Sequence, residues 1–161
     1  MRFPSFVRKL KKIVGPDAVL DRAEDLMLYE YDGGIHTSPP RAVVFPRTTE
    51  QVSRIMRLAS ENEIPVVPRG AGTGLSGGAL ARRGAIVLGF ARMNRILEID
   101  AANQRAVVQP GVVNLDLSAA AAPYGLYFAP DPSSQKSCTI GGNVAENSGG
   151  PHTLAYGVTV N

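Results

Sequence analysis

Apolar positions recur at helical spacing in two stretches of the first 62 residues. Residues 1–30 carry this spacing with a Gly-Pro-Asp break in the middle, which predicts two helices, the second capped by Asp21. A further helix is predicted over residues 48–62, where Thr48 or Thr49 can cap the first turn. The apolar face of this helix is expected to comprise Val52, Ile55, Met56 and Ala59.

Short apolar runs of β type stand on both sides of that helix. Residues 42–45 (AVVF) precede it and residues 65–68 (PVVP) follow it, and this strand–helix–strand order is typical of parallel pairing. Three more β-type runs come next, the last two joined by turn residues: 85–88 (AIVL), 95–99 (RILEI) and 105–109 (RAVVQ). The pattern therefore predicts a parallel unit followed by a strand-rich region.

The pattern changes again after residue 109. Pro110 and Gly111 break the last strand, and a helix is predicted over residues 114–122, where a following proline ends it. One helical turn is predicted over residues 142–147. Residues 158–160 have the composition of a strand that nothing completes, so we expect the chain to be the front part of a longer protein.

Composition and charge exclude several classes of function. A formal charge of +3 is mild, and the basic cluster at residues 7–12 lies on an amphipathic helix. Because the chain also has no Trp, we do not expect a nucleic-acid surface. The one cysteine, Cys138, excludes an intramolecular disulfide and an iron–sulfur cluster, and it suits a reducing compartment. No apolar run has the length of a membrane span, and we expect a cytoplasmic protein.

The first candidate binding site in the sequence is a glycine-rich stretch at residues 68–80 (PRGAGTGLSGGAL), which we call the glycine loop. Residues 72–77 fit the GxGxxG pattern of dinucleotide-binding turns. Such a turn needs a helix that opens at once, but only residues 79–83 separate the glycines from the next strand. A P-loop is excluded because no Lys-Ser or Lys-Thr follows the glycines.

Two interpretations of the glycine loop remain, an anion-binding nest and a mobile surface loop. In a nest, glycines in left-handed conformations turn several backbone N–H groups toward one anion. Arg69 can offset phosphate charge there, and the hydroxyls of Thr73 and Ser76 can donate hydrogen bonds. A second small-residue cluster at residues 139–150 (TIGGNVAENSGG), together with Pro110-Gly111, favours an elongated cofactor.

Several motifs in order resemble one family of flavoproteins, the vanillyl-alcohol-oxidase or PCMH type. Within it, the chain is most similar to the FAD subunit of glycolate oxidase and to FAD-linked D-lactate dehydrogenases. The resemblance covers residues 29–161. The motifs are VVFPRTTEQV (43–52), IPVVPRGAGTGLSGGAL (64–80), MNRILEID (93–100), VVQPGVVNLDL (107–117), APYGLYFAPDPSSQKSCTIGGNVAENSGGPH (122–152) and YGVTVN (156–161).

The resemblance implies an α+β PCMH-type FAD-binding fold. Residues 1–30 would form an N-terminal helical segment, and residues 31–90 a first FAD-binding subdomain, a small parallel sheet with helices that carries the pyrophosphate loop. Residues 91–161 would begin a second, mainly antiparallel subdomain that is incomplete. Open sheet edges in that subdomain would favour a homodimer.

The resemblance also implies which residues hold FAD. For the pyrophosphate they are Arg69, Gly70, Ala71, Gly72, Thr73, Gly74, Ser76 and Gly77. For the ribityl chain and flavin they are Pro110, Gly111, Thr139, Gly142 and Asn143, with Ser133, Cys138 and Ser148 as further candidates. Some members bond the flavin covalently to a histidine in the glycine loop. Because Gly72-Thr73 fills that place, and His36 and His152 lie elsewhere, we expect noncovalent FAD.

In this family the flavin takes a hydride from the α-carbon of a small 2-hydroxy acid such as glycolate or D-lactate. The substrate site would lie in a C-terminal domain, so this chain alone is expected to be inactive, with no catalytic residue and no metal site. Electron-transfer subunits are expected partners, through which a cytoplasmic protein could attach to the inner membrane. The alternative function is a non-catalytic flavin- or nucleotide-binding module.

Overall fold

A computed structural model describes residues 2–81 and 84–160. The chain folds into two compact units, of which the first ends at Arg92 and the second begins at Met93. The first contains a small sheet and three helices, and the second contains an antiparallel strand pair and three further helices. This confirms the predicted α+β fold.

Helices α1 (Phe3–Val14), α2 (Ala23–Leu26) and α3 (Thr49–Ser60) belong to the first unit. The long helices α1 and α3 pack together, because each has one apolar face. Thr48 caps α3 as predicted, with its side chain accepting a hydrogen bond of 3.3 Å from the backbone N–H of Gln51. The buried face of α3 consists of Ile55, Leu58 and Ala59.

Two expectations for these helices are wrong. Met56 is 45% exposed, because the buried stripe of α3 is rotated toward Leu58. Asp21 does not cap α2, since Arg22 occupies the cap position and no side chain bonds the first turn. The Asp21 carboxylate instead accepts a hydrogen bond of 2.9 Å from the Lys11 ammonium group.

The sheet of the first unit has the order β1-β2-β4-β3. Strand β1 (Val19–Leu20), which the sequence pattern did not predict, is antiparallel to β2 (Val43–Val44). Strands β3 (Val66–Arg69) and β4 (Ile86–Gly89) are parallel, and β4 also pairs in parallel with β2. The strands on either side of α3 are therefore parallel but not adjacent, because β4 lies between them.

The core of the first unit lies between α1, α3 and the sheet. Its fully buried side chains include Phe6, Leu10, Ile55 and Ile86, each contributing about 1.5–3 kcal/mol from its burial. All four residues of β4 are buried, as is usual for a central parallel strand. The carboxyl ends of β2, β3 and β4 share one edge of the sheet, and the glycine loop leaves from that edge at Arg69.

The second unit begins with the antiparallel strands β5 (Ile96–Asp100) and β6 (Arg105–Val108). Its helices are α4 (Asn114–Ala121), α5 (Ile140–Glu146) and α6 (Thr153–Tyr156). Helix α5 starts two residues before the predicted turn, and α6 was not predicted. Residues 158–160, expected to begin a strand, form none. Within residues 2–81 and 84–160, no helix combines the length and apolar composition of a membrane span.

Candidate functional site

The glycine loop starts where β3 ends and borders a cavity of about 310 Å³ in the first unit. Aromatic side chains and the backbone of small residues form its walls. The lining residues are Leu28, Tyr29, Tyr31, Phe45, Arg69, Gly70, Ala71, Gly72, Gly89 and Ala91. A cavity at the carboxyl edge of parallel strands is a usual place for a ligand in such folds.

Gly72 adopts a conformation that L-residues rarely take, with a φ of +72°. Its α-carbon also lies directly against the guanidinium of Arg69. A side-chain β-carbon at this position would be 2.5 Å from Cζ and 3.0 Å from Nε of that arginine. The backbone angle therefore favours glycine here, and any β-carbon would displace the Arg69 guanidinium.

Arg69 supplies a buried cation beside the loop. The residue is 7% exposed, and its Nη1 is buried without a hydrogen-bond partner among the described residues. Burial lowers the pKa of the guanidinium, while the Asp32 carboxylate and the phenols of Tyr29 and Tyr31 act in the opposite direction. Because arginine stays protonated under such shifts, Nη1 is a charged donor available to a ligand.

A turn at Asp32–Gly34 supports the glycine loop from behind, and sequence reasoning missed it. The Gly33 N–H donates a hydrogen bond of 2.9 Å to the Gly74 carbonyl. A β-carbon at Gly33 would lie 2.9 Å from the Thr73 carbonyl oxygen, so the two backbones are in direct contact. An Asp-Gly-Gly sequence indicates a turn, but nothing local indicates what the turn contacts.

The other predicted residues of the glycine loop differ in how far they are exposed. Gly70 and Thr73 are partly buried, whereas Ala71 and Ser76 are exposed. Gly77 has a φ of +78°, and its carbonyl closes the last turn by accepting a hydrogen bond of 3.1 Å from Leu80. The loop is thus a folded turn tied to β3 and to the Asp32–Gly34 turn.

The second unit brings its predicted residues together around the start of α5. The Gly141 N–H donates a hydrogen bond of 2.8 Å to the Pro110 carbonyl, and a β-carbon at Gly141 would lie 2.7 Å from that proline's Cβ. Thr139 caps the helix, its Oγ1 accepting a hydrogen bond of 3.2 Å from the Gly142 N–H. Gly111, next to Pro110, is buried.

Asn143 is the unusual member of this second cluster. It is 1% exposed, yet neither Oδ1 nor Nδ2 has a hydrogen-bond partner in the described part of the chain. Leaving one buried polar group unsatisfied costs about 1–3 kcal/mol. An amide that offers both a donor and an acceptor is therefore available here to a polar ligand.

The further candidates lie in different surroundings. Cys138 is 5% exposed, and its carbonyl accepts a hydrogen bond of 3.0 Å from the Asn114 N–H. Ser133 is exposed, whereas the Ser148 carbonyl accepts hydrogen bonds from Thr159.

Asp131 and His152 form a polar pair in the second unit. The Asp131 Oδ2 lies 2.5 Å from the His152 Nδ1, and Oδ1 accepts a hydrogen bond of 3.3 Å from the backbone N–H of His152. Partial burial would raise the pKa of the Asp131 carboxyl, but the hydrogen bonds from His152 hold it below its ordinary value. His36 is exposed and lies in the other unit.

The lowered pKa of Asp131 predicts a pH dependence of stability. Because the folded state favours the ionised carboxylate, the contribution is fully present above the ordinary pKa of 3.8 and is lost as pH falls through the lowered one. Urea unfolding of Asp131→Asn and wild type between pH 6 and 3 should show a stability difference that shrinks below about pH 4. In a His152→Ala background the difference should vary less with pH, because only the backbone N–H of residue 152 still donates a hydrogen bond to Asp131. A constant difference in both backgrounds would contradict the pairing.

A glycine loop at the carboxyl edge of a parallel sheet and a helix start built from small residues are both features that suit the binding of a phosphate-containing cofactor. The chain belongs to the FAD binding domain family, whose model matches residues 40–161. It is 49% identical to the glycolate oxidase subunit GlcD of Escherichia coli over 97% of this chain and 32% of that protein. It is 42% identical to the D-2-hydroxyglutarate dehydrogenase of Stutzerimonas stutzeri, over 100% of this chain and 35% of that protein.

A solved structure of p-cresol methylhydroxylase with substrate bound has a similar fold. The TM-score is 0.77 at 26% identity, over 91% of this chain and 30% of that one. These findings confirm the PCMH-type fold and the resemblance to glycolate oxidase subunits. The chain spans about a third of the length of the relatives it matches.

Proposed function

We propose that this chain is the FAD-binding portion of an oxidoreductase that oxidises a small 2-hydroxy acid of the glycolate or D-lactate type. One observation carries the proposal. Two residues that the sequence nominated for cofactor binding, Arg69 and Asn143, hold buried polar atoms without a partner among the described residues. Such atoms are costly in a protein unless a ligand or an ordered water satisfies them.

The residues present fit FAD. Gly72 leaves room for the Arg69 guanidinium at the loop, so a cation and backbone N–H groups can hold a pyrophosphate. In the second unit the Asn143 amide can pair with polar groups of the ribityl chain or flavin. When bound, FAD supplies a hydride acceptor, and the part of the protein is to bind and orient it.

The proposal includes noncovalent attachment. Gly72 and Thr73 stand where some flavoproteins of this type carry a histidine, and neither side chain can form that bond. The two histidines of the chain are both exposed, and His152 is already paired with Asp131.

Further subunits belong to the proposal as partners. The Escherichia coli relative is described as a subunit of glycolate oxidase. We infer that electrons pass from this chain's cofactor to other subunits, since the described residues of this chain offer only one thiol, Cys138. A cytoplasmic location, with attachment to the inner membrane through those subunits, is the corresponding expectation for the whole protein.

Absorbance spectroscopy of the purified protein tests the cofactor. We expect flavin bands, and acid precipitation should leave the flavin in the supernatant; flavin in the pellet would contradict noncovalent attachment. For activity, a protein carrying this chain should reduce a redox dye with glycolate or D-lactate and not with acetate, which lacks the hydroxyl. Tight FAD binding without dye reduction by any 2-hydroxy acid would favour the non-catalytic module. A colourless protein that FAD cannot reconstitute would exclude both the flavin-dependent oxidoreductase and a flavin-binding module.

A further inference from the structure

We propose that Asp32 is a positioning residue for the glycine loop, acting on bound pyrophosphate through Arg69 and through the Gly33–Gly34 backbone. The inference rests on the proposed function, because it assigns the loop to the phosphates of FAD. Asp32 lies outside the glycine loop, 37 positions before Arg69 in the sequence. Its role follows from contacts that only the folded structure shows.

The first contact is the turn that Asp32 holds. Its Oδ1 accepts a hydrogen bond of 2.7 Å from the backbone N–H of Gly34. The same turn presents the Gly33 N–H to the Gly74 carbonyl at 2.9 Å. Because this hydrogen bond holds the Gly74 carbonyl, the backbone around it is fixed. The neighbouring N–H groups of the loop can therefore point in fewer directions.

The second interaction is electrostatic and involves no direct hydrogen bond between Asp32 and Arg69. Asp32 is 8% exposed, and its Oδ2 is buried without a hydrogen-bond partner among the described residues. The nearby Arg69, 7% exposed, also has an unpartnered buried nitrogen, Nη1. The Asp32 carboxylate favours the charged guanidinium, against the desolvation that burial imposes.

The hydrogen-bonded turn and the electrostatic interaction with Arg69 explain how a carboxylate can assist the binding of an anion. A buried guanidinium with no counter-charge is costly and would turn toward solvent. Asp32 offsets that cost while leaving Nη1 without a protein partner, so the cation stays beside Gly72 at the loop. Without the carboxylate, Arg69 is expected to leave this position, and phosphate affinity should fall even though a negative charge has been removed.

The substitution Asp32→Asn isolates the charge, because the amide oxygen can still accept the Gly34 N–H. We expect about a tenfold weaker Kd for FAD, which corresponds to about 1.4 kcal/mol at 25 °C, measured by quenching of flavin fluorescence on the purified protein. Affinity for ADP, which carries the diphosphate and the adenosine of FAD without the flavin, should fall by a similar factor. The control Asp17→Asn makes the same change at an exposed position of the same unit and should leave both affinities unaltered.

A double-mutant cycle separates this role from general support of the fold. In an Arg69→Met background, Asp32→Asn should change the Kd for FAD less than twofold, because the cation it positions is gone. Equal losses in both backgrounds would assign Asp32 to the scaffold and overturn the inference. So would unaltered or tighter FAD binding by Asp32→Asn, with the proposed function left standing. If the wild-type protein binds no FAD, the proposed function falls, and this role with it.

Discussion

Replacing Gly72 by valine should abolish FAD binding, with the Kd weakened by at least about a hundredfold. A β-branched residue at a φ of +72° is strained by about 1–2 kcal/mol or more. The larger effect is steric, since the new β-carbon would lie 2.5 Å from Cζ of Arg69. The guanidinium must move away, and the loop then loses its cation together with its nest geometry.

A matched glycine separates strain from the loss of the site. Gly125, in the second unit, has a φ of +71°, and a β-carbon there meets no atom within 4 Å. The Gly125→Val variant should therefore have a lower free energy of unfolding, because its backbone is strained to a similar degree. Its affinity for FAD should equal that of the wild-type protein. Flavin titration and urea unfolding of both variants check this. Normal flavin content in Gly72→Val would show that the glycine loop is not the phosphate site.

The glycine loop could be predicted from sequence because its signal is local. Five glycines between two β-type runs indicate the loop; the missing helix excludes a nicotinamide-type turn, and the missing Lys-Ser or Lys-Thr excludes a P-loop. The close contact of Gly72 with Arg69 was not predictable, since spacing alone does not show that the chain turns back on itself. The contact of the Asp32–Gly34 turn with the loop was not predictable for the same reason, because its hydrogen-bond partner, Gly74, lies forty residues farther along the chain.

The hydrophobic pattern of the sequence also could not predict very short strands or which residues of a helix face the core. Strand β1 has only two residues, too few to show alternation, and its pairing with β2 depends on tertiary contact. Periodicity located α3 but not the orientation of its buried stripe. Which of Met56 and Leu58 is buried depends on the packing of α1 against α3, and here Leu58 is the buried one.

Asn143 and Arg69 were nominated by resemblance to a family, and the structure adds a physical property that the resemblance lacks. Both are buried, and both keep polar atoms without partners in the described part of the chain. Most buried polar groups in folded proteins are paired. Arg69 and Asn143 are therefore the nominated residues whose polar side-chain atoms are best suited to pair with a cofactor.

Asn143→Leu should therefore change stability and ligand binding in opposite directions. Leucine has the same number of side-chain heavy atoms as asparagine, at a somewhat larger volume, and it removes two buried polar groups that cost about 1–3 kcal/mol each when unsatisfied. We expect the cofactor-free protein to become more stable by about that amount, as measured by urea unfolding. Affinity for FAD should fall by about tenfold or more, because the ligand loses a paired donor and acceptor.

Asn114 provides the matched control for this substitution. It is equally buried, at 1% exposure, but its Nδ2 donates a hydrogen bond of 2.9 Å to the Pro130 carbonyl. Asn114→Leu leaves that carbonyl unpaired, so this variant should be destabilised by about 1–3 kcal/mol. If Asn143→Leu is destabilised to the same extent, the Asn143 amide is satisfied within the protein itself and does not await a ligand. A more stable protein with weakened FAD binding would instead mark Asn143 as a residue kept for its cofactor.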